Sequence, residues 1–255
     1  MAEAKLIDDE NGDTLWQDAL AKEMYKVGVA FKILDNDKAM PVGYKRSSGH
    51  IVWDIKMDFT QKARWVKDGH RTPDLDDSKY AGVVSRESVR IMLTYAAVHA
   101  IPVLAADIRN AYLQAPTSEK HYIICGKEFG LENEGKRAVI VRALYGGKAA
   151  GRDFWHHLRS CMGHLGFKSK AGDPDVWMRP STRDNGLITY EYVLLYTDDC
   201  LVVADKAESI LKDEPEMSDL SAEISEFSGT LTGPLFSLGY WKTNLKLNIK
   251  NLKIN

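Results

Sequence analysis

Two short apolar runs divided by a polar break stand out along the chain: Tyr192-Val193-Leu194-Leu195-Tyr196, then Thr197-Asp198-Asp199, then Cys200-Leu201-Val202-Val203-Ala204. Runs of this length, rich in Val and Leu, predict buried strands, and the break predicts the turn of a hairpin spanning 188–204. A third run, Val103-Leu104-Ala105-Ala106, ends in Asp107 and predicts another buried strand with a carboxylate at its C-terminal end. Helical spacing appears in three places. Trp16, Ala19, Leu20 and Met24 follow Asp13 or Thr14; Val89, Leu93, Ala96 and Ala97 follow Ser85 over 85–100; Phe154, Trp155, Leu158 and Leu165 mark 149–165.

The remaining pattern predicts strands over 29–34 and 50–67 with turns at 35–37 and 47–49, and a Pro- and Asp-rich loop at 71–79. Short strands are expected at 121–125, 138–142 and 175–179, and a helix begins at 206–211. Near the end, Leu245, Leu247 and Ile249 alternate as in a single strand. The sum is an α+β fold: an antiparallel sheet with helices on one face, and a β-rich part ahead of it.

Composition narrows the class. At 255 residues the chain can bury a substantial core. It has no apolar run of about 18 residues, so no membrane-spanning helix is expected, and Met1–Glu10 is too polar for a secretory signal. Cys125, Cys161 and Cys200 follow no ligand spacing and read as thiols of a reducing, intracellular compartment. The net charge of −2 is low for a protein that grips a polyanion. Its bases are instead local: Lys45, Arg46, Lys56, Lys62, Arg64, Lys67 and Arg71 share one region, and Lys242, Lys246, Lys250 and Lys253 lie in an acid-free C-terminal segment. The acids gather in residues 1–12 and 205–226.

Asp198 and Asp199 raise the first chemical question. Two carboxylates side by side at a hairpin tip, backed by apolar strands, repel each other unless a cation lies between them. Hard divalent ions take oxygen ligands, so the pair suits Mg²⁺; Asp is equally a good turn residue. Asp107, delivered by the end of its own strand, could complete a cluster of the type that two-metal nucleotidyl transfer uses, or could serve as an ordinary helix cap.

Seven blocks in order carry a resemblance: VWDIKMD (52–58), KARWV (62–66), VSRESVR (84–90), LAADIRNAYL (104–113), ALYGGK (143–148), GF with DPD (166–167 and 173–175) and YTDD (196–199). From about Trp16 to about Tyr240 the chain resembles the reverse transcriptase domain of copia-like retrotransposon polyproteins. The resemblance implies a polymerase palm with β-rich fingers. It implies an RNA-directed DNA polymerase that adds dNTPs to a primer 3′-hydroxyl on an RNA or DNA template-primer, with Mg²⁺ or Mn²⁺. Asp107, Asp198 and Asp199 then match the metal-binding catalytic carboxylates. Lys56 and Arg64 match triphosphate contacts, and Tyr112 matches a ring that excludes the 2′-hydroxyl, where an ordinary core Tyr is the other reading. Gly146 and Lys148 match the loop near the templating pair, and Gly239 and Tyr240 match a primer-grip turn. The family more often carries Leu where Gly147 stands.

The organisation expected on this basis is an acidic tail (1–12), fingers with their connecting helix (13–100), palm (101–241) and a short basic strand or tail (242–255). A thumb of ordinary size and a ribonuclease H segment are not expected in the residues after Tyr240. The resemblance also implies a cytoplasmic or nuclear setting, within a virus-like particle if the element is active. Two other readings stay open: a remnant that binds nucleic acid without catalysis, and a fold retained only for protein interaction.

Overall fold

The computed structural model describes residues 2–35, 38–72, 80–212 and 222–225. In chain order the elements begin with α1 (Ala2–Asn11), α2 (Leu15–Val27), β1 (Phe31–Ile33), β2 (Lys45–Arg46), β3 (Gly49–Ile55) and β4 (Gln61–Lys67). They continue with α3 (Arg86–Val98), β5 (Val103–Ile108), α4 (Ala111–Gln114), β6 (His121–Ile124), β7 (Arg137–Ile140) and α5 (Ala150–His164). The last are β8 (Lys168–Ser169), β9 (Val176–Thr182), β10 (Ile188–Tyr196), β11 (Asp199–Val203), α6 (Ala207–Lys212) and β12 (Ala222–Ser225). The chain is a mixed α/β fold of two compact units, each made of two stretches: Met1–Tyr80 with Tyr112–His157, and Ala81–Ala111 with Leu158–Asn255. The expected division at 100/101 is therefore not where the units part, because α3 belongs with the second unit and 112–157 return to the first.

The first unit holds a four-stranded sheet, β1-β7-β6-β2, and a two-stranded ribbon of β3 and β4. Trp65, buried on β4, meets the Phe31 ring edge-on at 5.0 Å, in a core with Val27, Ile123, Ile140 and Leu144. Burial of Ala63, Trp65 and Lys67 while Lys62, Arg64 and Val66 stay half exposed is the period-2 pattern of a ribbon covered on one face. The strands expected over 50–67 are the two arms of this hairpin. Its turn lies at 56–60, where Phe59 takes a φ of +62°, and not at 47–49.

The stretch expected as an acidic tail is helical over Ala2–Asn11. Ala2–Asn11 form α1, and the buried Asp8 carboxylate accepts the amides of Trp16 (3.0 Å) and Gln17 (2.9 Å) at the start of α2. The orphan amides of that helix end are met from α1, which is why Thr14, at the N-cap position, makes no capping bond of its own.

The second unit is organised on a six-stranded sheet of order β12-β5-β11-β10-β9-β8, antiparallel at every pairing. Helix α3 starts at Ser85, whose hydroxyl accepts the Ser88 amide, and buries Val89, Met92 and Ala96 against Val103, Leu194, Leu201 and Val203. Asp173 secures that helix start by accepting from the Ser85 amide (2.9 Å) and the Ser88 hydroxyl (2.6 Å). Val193, Leu194 and Leu195 are all buried, as is Cys200–Val203 in full, so alternate residues are covered on both faces of the central strands. Helices were expected on one face; the burial shows both faces of these strands covered, as their unbroken apolar runs require. Among the described residues no helix is long and apolar enough to cross a membrane.

Candidate active site

Strands β10 and β11 close with Tyr196 paired to Asp199, leaving Thr197 and Asp198 as a two-residue loop. Thr197 has a φ of +53°, an unfavourable conformation for a β-branched residue and the hand that tight hairpins demand at a central position. Backbone outliers of this kind persist where the surroundings enforce them, and they cluster at functional sites. Here the enforcing contact is visible: the Ile108 amide donates to the Asp198 carbonyl at 2.7 Å, tying the tip to the end of β5.

Register does the rest. Asp199 on β11 is the partner of Asp107 on β5, and Cys200 pairs with Ala106 beside them. Residues directly opposite in an antiparallel pair share a face with Cβ atoms roughly 4.5–5.5 Å apart, and like charges there repel. On the far side of β5, the Glu223 position of β12 is also in register with Asp107. Asp107, Asp198 and Asp199 are each half-buried. Burial first, and then the negative charge of these three carboxylates, pushes the Cys200 thiol up to about 12. Cys200 is therefore an inert, protonated side chain beneath an electronegative end of the sheet.

The donor set is of oxygen only, which suits Mg²⁺ or Mn²⁺ and does not suit a thiolate-preferring metal. Among the described residues, no three His, Cys, Asp or Glu side chains are gathered tightly enough to hold one ion together. The backbone thus sets Asp107 opposite Asp199 and ties Asp198 to the same end of the sheet.

In the first unit the ribbon carries the cationic candidates. Lys56 is exposed in the turn, Lys62 and Arg64 lie on the uncovered face of β4, and the Arg64 guanidinium stacks over the Tyr145 ring at 4.4 Å. Burial first, and then Arg64 and Lys56, hold the Lys62 ammonium below its usual range, so these three cations share one patch. Lys67 departs from the basic cluster read along the chain. It is 3% exposed, and its Nζ meets Glu119 Oε2 and His121 Nδ1, each at 2.9 Å.

Tyr112 sits at the start of α4, edge-on to Tyr145 (4.8 Å) and Phe154 (6.0 Å), a half-buried member of a ring cluster. Gly146 has a φ of +81°, and a Cβ there would stand 2.1 Å from the Lys67 carbonyl, so only glycine fits. Lys148 donates from Nζ to the Thr72 carbonyl at 2.7 Å, a bond that anchors its loop. Gly239 and Tyr240 lie outside the described residues, as do the expected C-terminal strand and its lysines.

Sequence reasoning missed the buried Lys67, Glu119 and His121 set. A signal existed for Lys67, which falls in phase with the inward Ala63 and Trp65 on a period of two. None existed for Glu119 and His121, which join it only through the fold.

The sequence model of the family described as "Reverse transcriptase (RNA-dependent DNA polymerase)" matches residues 31–231. The chain is 29% identical over 189 residues to the Retrovirus-related Pol polyprotein from transposon TNT 1-94 of Nicotiana tabacum, a match covering 70% of this chain and 14% of that protein. It is 28% identical to the corresponding polyproteins from transposons RE2 and RE1 of Arabidopsis thaliana, over 56% of this chain and 10% of each. The chain thus spans a small part of the length of these relatives.

Proposed function

Since the chain belongs to the copia-like branch of the reverse transcriptase (RNA-dependent DNA polymerase) family, we propose that it is an RNA-directed DNA polymerase domain that extends a primer 3′-hydroxyl with dNTPs by nucleotidyl transfer. The observation that carries this reading is the Asp107–Asp199 register with Asp198 tied beside it, inside the stretch the family covers. In this reading the second unit is the palm and the first holds the fingers. Asp107, Asp198 and Asp199 would hold Mg²⁺ or Mn²⁺. When bound, such ions polarise the 3′-hydroxyl and neutralise charge on the triphosphate.

The chain's own residues supply the remainder. Lys56 and Arg64 donate charge-assisted hydrogen bonds to triphosphate oxygens, with Arg64 held flat by Tyr145. Tyr112 presents a ring to the sugar and leaves no room for a 2′-hydroxyl. The 146–148 loop, packed at Gly146 against the Lys67 carbonyl of β4, faces the templating base, and Gly239 and Tyr240 steady the primer. The template-primer is RNA or DNA, and the setting is the cytoplasm or nucleus, within a virus-like particle for an active element.

Primer extension on a primed RNA template tests this reading. With Mg²⁺ and dNTPs the purified chain should lengthen the primer, and the products should vanish with chelator. Template-primer binding without extension would instead support a remnant that keeps the sheet and has lost catalysis.

A further inference from the structure

The Lys67, Glu119 and His121 set is buried inside the first unit, and none of its three residues has a role in the function proposed above. Lys67 and Glu119 are nearly inaccessible, with side chains 2% and 3% exposed. Burial, and then the Lys67 charge, push the His121 imidazole below its usual range, so it is neutral and its Nδ1 accepts from the Lys67 ammonium. Glu119 Oε2 takes the ion pair, and Oε1 is buried without a hydrogen bond among the described residues. Such a pair contributes little to stability beyond what well-packed apolar side chains would give, and removing one partner alone leaves a buried charge. A charged pair in this place calls for a reason other than stability.

The surroundings supply one. The Lys67 amide donates to the Tyr145 carbonyl at 2.8 Å. Gly146 packs on the Lys67 carbonyl, and an added Cβ at Gly69 would meet the Gly146 carbonyl at 2.0 Å. A Cβ on Gly147 would stand 3.0 Å from Glu119 Oε2. Loop 145–148 is therefore pressed, backbone to backbone, between the end of β4 and the carboxylate of the ion pair. Its first residue, Tyr145, carries the Arg64 guanidinium on its ring.

We propose that Lys67, Glu119 and His121 are positioning residues: they hold loop 145–148 in one conformation and, through the Tyr145 ring, hold Arg64 in the orientation in which it meets its anionic ligand. Because Lys67 and Arg64 lie on opposite faces of the same strand, the influence runs through the loop and the Tyr145 ring and not through direct contact. The ligand class, a nucleoside triphosphate, rests on the function proposed above.

The test compares the parent with Glu119→Gln, which keeps volume and removes charge, and with Lys67→Met as a second variant. Two readouts need no catalysis: hydrogen exchange at the Lys67 and Gly147 amides, and the ring-current shift of the Arg64 Nε–H signal. Both variants should exchange about tenfold faster at these amides and lose that shift, while amides of the second unit stay unchanged. In primer extension, Glu119→Gln should raise KM for dNTP about tenfold with kcat within about threefold, and in an Arg64→Ala background it should raise KM by less than about twofold. Unchanged exchange and shift, or KM effects of Glu119→Gln and Arg64→Ala that simply multiply, would overturn the proposal. A parent that extends no primer would refute the polymerase reading alone, and the exchange and shift results would still decide whether the network positions Arg64.

Discussion

Asp107 and Asp199 stand opposite each other as register partners on β5 and β11, two neighbouring inner strands of the six-stranded sheet. Nothing in sheet stability favours that pairing, since like charges directly across an antiparallel ladder repel. A cation between them reverses the sign. In the presence of chelator, Asp199→Asn should therefore melt no lower than the parent and gain up to about 1 kcal/mol from the lost repulsion. With saturating Mg²⁺ or Mn²⁺ the parent should rise in Tm and the variant should not, because only an ion bound to the folded state stabilises it. An equal rise in both would separate the carboxylates from metal binding.

Much of this site was legible along the chain because it is local. The Asp198-Asp199 tip is a break between two apolar runs and Asp107 ends a third, so periodicity placed all three acids at strand ends, and the family resemblance made them candidates. What periodicity could not provide was pairing: that β11 lies against β5 and aligns these acids is a long-range fact. In the ribbon, strands over 50–67 were expected and only the place of the turn was missed. Exposed Ile55, Met57 and Phe59 in and beside the 56–60 turn look like strand residues, and the positive φ of Phe59 is set by the turn and not signalled by its side chain. The N-terminal acids looked solvated because they are acids, while Asp8 is buried by the helix amides it serves.

Sugar selection is the role proposed for Tyr112. Its half-buried ring, set against Tyr145 and Phe154, should make Tyr112→Ala cost about 2–4 kcal/mol of stability and Tyr112→Phe much less. Among variants that still fold, the alanine form should use ribonucleotides at least about tenfold better relative to dNTPs. Unaltered discrimination would make Tyr112 a packing residue only.

Acid sensitivity should be traceable to His121. Burial and the Lys67 charge lower its pKa from the ordinary 6.5, so below that pH the unfolded chain takes up a proton that the folded chain refuses. The stability linked to His121 is complete above 6.5 and is lost as pH falls toward and through the lowered value. Melting curves recorded from neutral pH down to about 5 should fall more steeply for the parent than for His121→Asn, which has no proton to gain. Parallel curves would mean that His121 does not titrate against folding.

Quantitative primer extension by Asp107→Asn beside Asp184→Asn, two isosteric charge removals in the same unit, tests the role of the three acids most sharply. Asp184 is a surface residue, 89% exposed at its side chain and paired with Lys206. Asp107→Asn should lower extension by about a thousandfold or more with folding intact, while Asp184→Asn should stay within about twofold of the parent. An Asp107→Asn chain that extends the primer as the parent does would contradict the assignment of Asp107, Asp198 and Asp199 to the chemistry.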